Sequence, residues 1–144
     1  MAPLAEYPEG TSPLYATADG RVTQVISNLE SGLLGHMDKD HPGGNIIIID
    51  IGNGRYVYFG HLRKGGTAVE EGQFVKAGMI IGHVGNSGYS THPHLHMHVQ
   101  NQPKSDSDQK KAFPFRFRKM RRKRLIFWRK ISCGVLLRND KFSD

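Results

Sequence analysis

At 144 residues the chain has room for one domain with a single core and is too short for two independent ones. Its net charge of +7 sits at one end: residues 1–108 hold seven Lys and Arg against eleven Asp and Glu, whereas residues 109–144 hold thirteen against two, a net of +11. The single cysteine, Cys133, excludes an intramolecular disulfide and a multi-cysteine metal site, so any metal must rest on His and carboxylates.

The opening decapeptide MAPLAEYPEG has neither a basic n-region nor an apolar h-region, and no run approaches the roughly 18 apolar residues of a membrane span. As written, the sequence predicts no export signal. Alternation in Leu14–Thr17 and Arg21–Ile26 flanks Asp19-Gly20, a pair favoured in tight turns, and predicts a β-hairpin. Residues 28–44 break the pattern with glycine, proline and polar residues and read as a long loop, often a functional feature.

The β-branched run Asn45–Ile51, the turn Gly52-Asn53-Gly54 and the segment Arg55–Phe59 predict a second, central hairpin. Gly72 and Gly78 space the next valine-bearing segment, and Met79–Val84 reads as another strand. Residues 101–112 are polar and predict a surface excursion or linker, and Phe113–Arg118 alternates like an amphipathic strand. Short strands punctuated by glycine predict an all-β sandwich or barrel in which helix is minor.

Four of the eight histidines fall between residues 92 and 98. In a strand, alternate side chains share a face, which places His94, His96 and His98 on one side and Leu95, Met97 and Val99 on the other. Two such imidazoles can serve one small reactive zone, one binding zinc while its neighbour bonds an attacking water or a developing oxyanion. The plainer alternative is an exposed histidine-rich strand with adventitious metal affinity. His61, in Tyr58-Phe59-Gly60-His61-Leu62, ends the preceding strand, and Gly60 permits close backbone approach.

With these residues in place, the sequence resembles the LytM/lysostaphin-type peptidoglycan endopeptidases of metallopeptidase family 23 over about residues 10–99. TSPLYATADGRV resembles the family's opening hairpin, and GNIIIIDIGNGRYVYFGHL its central hairpin with a catalytic histidine. VEEGQFVKAGMIIGHVGNSG resembles its glycine-spaced strands, and STHPHLHMHV its terminal signature. The resemblance implies a compact antiparallel sheet of barrel-sandwich-hybrid type with a duplicated hybrid motif, long loops and a basic C-terminal extension. It implies zinc as cofactor, His96 as a zinc ligand, and His61 and His94 as the catalytic pair that activates water and stabilises the oxyanion. The implied partner is bacterial peptidoglycan, cut in its peptides, and the implied place of action is the cell envelope or the extracellular space.

The sequence departs from the family where two further zinc ligands, a His and an Asp four residues later, precede the segment matched by EGTSPLYA. MAPLAEYPEG supplies neither residue type, so a truncated or a degenerate member is expected. Smaller departures are His92 before Pro93 and His98 where many members carry Glu. His36, Asp38, Asp40 and His41 in the long loop are of types that suit zinc and are candidate substitutes.

The domain reading is a peptidase-like core over 1–103, N-terminally incomplete, a polar linker or loop over 104–112, and a basic aromatic-rich extension over 113–144. The extension's charges, Arg116 to Lys130, suit anionic envelope polymers or a membrane surface, with a solvated basic face as the alternative. No nucleic-acid motif accompanies them, so no nucleic acid is expected. Two other functions compete with a metalloendopeptidase: a catalytically inactive peptidoglycan-binding or regulatory module of the same fold, and a lipoyl or biotinyl carrier. For the carrier, Lys39 is the one candidate and the histidines would be superfluous.

Overall fold

The computed structural model describes residues 12–31, 38–106 and 109–117. Eight strands occur in chain order: β1 (Pro13–Tyr15), β2 (Gly20–Ile26), β3 (Asn45–Asp50), β4 (Tyr56–Thr67), β5 (Phe74–Val75), β6 (Ile80–Val84), β7 (His96–Gln100) and β8 (Ala112–Phe113). They join into one sheet in which every pairing is antiparallel. No helix occurs among the described residues, and the fold is all-β, as the sequence predicts.

β3 explains why its sequence is a continuous run of isoleucine rather than an alternation. Ile47 and Ile49 enter the main core with Leu14, Val22, Phe59, Leu62, Ile81, Met97 and Val99, while Ile46 and Ile48 pack on the other face with Tyr58. A strand covered on both faces must be apolar throughout, and each such side chain contributes about 1.5–3 kcal/mol by leaving water. The predicted central hairpin is present: β3 pairs with β4 from Asp50↔Tyr56 to Asn45↔Leu62, and Gly52, Asn53 and Gly54 turn the chain at φ 86°, 55° and 65°.

β4 is the spine of the sheet. One edge lies along β3; the other pairs first with β7, through Tyr56↔Gln100 to Gly60↔His96, and then with β6, starting at Leu62↔Val84. His61 is therefore the residue at which β4 exchanges one partner strand for another. The pairing of β7 with β8 returns the chain to the sheet, and Phe113 and Phe115 pack against the main core.

The first predicted hairpin does not form. β1 pairs with β6, through Pro13↔His83 and Leu14↔Gly82, and β2 pairs with β3 and β5. The Asp19 carboxylate accepts a hydrogen bond from the Ala77 N–H at 2.8 Å, and Ala16 bonds both Met79 and Gly78 through its backbone. The turn residues thus fasten the chain to the distant 76–79 turn rather than fold β1 back on β2. The amphipathic strand expected over Phe113–Arg118 is limited to Ala112–Phe113 among the described residues. The N-terminal decapeptide, His36, and the basic segment beyond Phe117 lie outside the described residues.

Candidate active site

His61 is held in an uncommon backbone conformation, φ 59°, which costs a side-chain-bearing residue about 1–2 kcal/mol. The fork in β4 stabilises it: the His61 N–H donates to the Gly43 carbonyl at 2.9 Å, and its own carbonyl accepts from the Gly85 N–H at 3.0 Å. Its side chain is buried, and Nδ1 lies 2.8 Å from the Ser87 carbonyl. A carbonyl only accepts, so Nδ1 carries the proton and Nε2 keeps a lone pair.

Ser87 is itself locked. Its hydroxyl accepts from the Asn45 N–H at 2.8 Å and donates to the Leu62 carbonyl at 2.7 Å. The buried Asn45 amide donates to the carbonyls of Leu29 and Leu62 and accepts from the Leu29 N–H. This clip needs two backbones in near contact. A Cβ on Gly88, where φ is 78°, would stand 2.4 Å from the Gly44 nitrogen, and one on Gly44, where φ is 61°, would meet the Ser87 hydroxyl at 2.4 Å. Only glycine tolerates both the backbone conformation and the approach.

His94 lies before β7 begins rather than within it, which corrects the expectation of one histidine strand from 94 to 98. Its Nδ1 is 2.8 Å from the His92 carbonyl and 3.1 Å from the Ser90 hydroxyl, so Nδ1–H donates and Nε2 keeps a lone pair. Ser90 in turn bonds the Asn86 side chain at 2.8 Å. The structure brings the three rings together: the His61 centroid is 4.6 Å from that of His94 and 5.7 Å from that of His96. Leu95, Met97 and Val99 are buried in the core while His94, His96 and His98 are only partly covered, which is the alternation the sequence predicts.

Tyr58 walls the cluster on one side, stacked on His98 at 4.6 Å and edge-on to His96 at 5.7 Å. Burial raises its phenol pKa to about 12, keeping it protonated. Burial, then the charges His98, His61 and His94 would carry, lower the His96 pKa to about 4. Burial chiefly lowers His61 and His98 as well. His61, His96 and His98 are thus neutral at pH 7, able to accept protons or bind a cation.

Asp38 and His41 in the long loop bond one another: Asp38 Oδ1 accepts from the His41 and Asp40 N–H groups, and Oδ2 lies 3.1 Å from His41 Nδ1. Among the described residues, no three of His, Cys, Asp and Glu stand where they could hold a metal ion. Imidazole nitrogens suit zinc in kind, but the described donors do not complete a cage. A groove lined by Val25, Thr67, Glu70 and Gln73 holds none of these histidines. Asn45, Ser87, Ser90 and Tyr58 escape a reading of the sequence for chemistry. Only the recurrence of the residues GNSG in the family signature points to Ser87.

An antiparallel sheet with this histidine cluster has the architecture of a β-sheet metallopeptidase. The chain belongs to peptidase family M23, whose sequence model matches residues 5–109. Comparison with curated proteins gave no match. Among solved structures it is similar to the catalytic domain of the antimicrobial peptidase lysostaphin from Staphylococcus simulans, at 30% identity over 74% of this chain and 69% of that one, TM-score 0.51. It is also similar to LytU, at 28% identity over 74% and 63%, TM-score 0.53. A third similar structure is a zinc-containing peptidase from Vibrio cholerae, at 32% identity over 65% and 24%, TM-score 0.50. The chain thus spans between 24% and 69% of those structures' lengths.

Proposed function

We propose that this domain is a zinc-dependent endopeptidase that hydrolyses peptides of bacterial peptidoglycan at the cell envelope. The observation that carries the reading is the meeting of His61, His94 and His96 in one cluster, with His61 and His94 each keeping a lone pair on Nε2. His61 and His94 are the catalytic pair. One takes the proton of the attacking water and delivers it to the leaving amine; the other, having first taken a proton from solvent on Nε2, donates to the oxyanion. His96 is the residue of the cluster assigned to the metal. A zinc ion held there by His96 and a completed ligand set would polarise a carbonyl and acidify a bound water.

A second reading, a peptidoglycan-binding module without catalysis, draws on the absence of a complete metal cage among the described residues. One experiment separates the two. The full chain, with one equivalent of zinc, is incubated with purified peptidoglycan, and both newly exposed amino groups and bound protein are measured. The enzyme reading predicts amino-group release that stops on chelation and returns with zinc. Sedimentation with peptidoglycan and no amino-group release at any zinc concentration would support the binding module instead.

A further inference from the structure

The cluster continues past His96 in a chain of side chains that the peptidase reading leaves unused. His96 Nε2 is 2.9 Å from His98 Nδ1, and His98 Nε2 is 2.9 Å from Gln100 Oε1. Gln100 is 1% exposed, and its Nε2 donates to the Gln102 carbonyl at 2.7 Å and the Lys104 carbonyl at 3.3 Å. Reversing that amide would set its oxygen against two carbonyl oxygens and its NH2 against the His98 nitrogen, so its direction is fixed. The loop supplying those carbonyls is pinned to β2: Pro103 accepts from the Thr23 hydroxyl at 2.8 Å, and the Ser105 N–H donates to Gln24 Oε1 at 2.8 Å.

Each link determines the next. Gln100 Oε1 can only accept, so His98 carries its proton on Nε2. Neutral His98 then offers a lone pair on Nδ1, so His96 must donate from Nε2. What remains on His96 is a lone pair on Nδ1. We propose that Gln100 is a positioning residue which, acting through His98, holds His96 in the Nε2–H tautomer and thereby selects Nδ1 as the nitrogen His96 offers to the cluster. The use of that nitrogen as a metal donor rests on the peptidase reading; the tautomer itself does not. A histidine at position 98 can carry its proton on either ring nitrogen, and the Gln100 carbonyl oxygen decides which.

The test is long-range proton–nitrogen correlation of the imidazole rings in the full, metal-free chain at pH 7.5. Wild type should show His96 and His98 each with a protonated Nε2 and an unprotonated Nδ1. In Gln100→Met, which keeps side-chain length but removes the acceptor, the His98 proton is free to move to Nδ1, and the Nδ1–H form of His96 should rise at least tenfold. His61, whose proton is set by the Ser87 carbonyl, should not change and serves as the internal reference. A wild-type His96 protonated on Nδ1, or a His96 signal unchanged in Gln100→Met, would overturn the proposal. If the variant fails to fold, the wild-type spectrum decides alone. An inactive protein with the expected tautomers would overturn the peptidase reading and leave this inference standing.

Discussion

Replacing Gly88 and Gly52 separately by alanine isolates the contact on which the His61 support depends. Both glycines have similar backbone torsions, φ 78° and 86°, but a Cβ at Gly52 meets nothing within 4 Å, whereas one at Gly88 falls 2.4 Å from the Gly44 nitrogen, 2.7 Å from its Cα and 2.8 Å from the His41 carbonyl. The torsional term, about 1–2 kcal/mol, is common to both. Gly88→Ala adds an overpacking term of about 1–3 kcal/mol, because the obstructing atoms are backbone and cannot swing aside. For a sheet of this size each kcal/mol lowers Tm by roughly 4–8 °C, so Gly88→Ala should melt roughly 4–24 °C below Gly52→Ala. Thermal denaturation followed by near-UV circular dichroism measures the gap, and peptidoglycan hydrolysis should fall only in Gly88→Ala, since Ser87 moves with it. Equal melting of the two variants would refute the close-approach argument.

Acid should destabilise the metal-free protein well above the carboxylate range. The folded-state pKa of His96 is lowered to about 4 from 6.5, so between those values the unfolded chain binds more protons and stability rises with pH. The contribution is fully present above pH 6.5 and is lost as pH falls toward 4. With allowance for partial exposure it amounts to about 1–2 kcal/mol between pH 6.5 and 5, and urea midpoints that are flat over that interval would contradict it. Ile47→Ala should cost about 2–5 kcal/mol, read in the same urea titration, because Ile47 is fully buried in the main core that also holds Phe59 and Ile81.

What could be read from the sequence was what neighbouring residues decide. The isoleucine run of β3 and its Gly52-Asn53-Gly54 turn carry their own pairing, and the Leu95, Met97, Val99 alternation carries its own facing. β1 departs from the predicted hairpin because Asp19-Gly20 has the letters of a tight turn, while the N–H that the Asp19 carboxylate binds belongs to Ala77, 58 residues away. The clip around His61 was hidden for the same reason: Asn45 and Ser87 are 42 residues apart, and each alone is an ordinary polar residue. The strand exchange at His61 could not be seen either, since the partners that divide β4, β6 and β7, come from later in the chain.

The most direct trial of the account is the rate at which the zinc-supplemented chain cleaves a peptidoglycan peptide, compared among wild type, His61→Ala, His94→Ala and the double variant. One imidazole acts on the water and the other on the oxyanion of the same step, so each single variant should be slower by about 100-fold or more, and the double variant slower still, by less than the product of the two losses. Single variants that cleave within twofold of wild type would show that the neighbouring imidazoles take no part in the reaction.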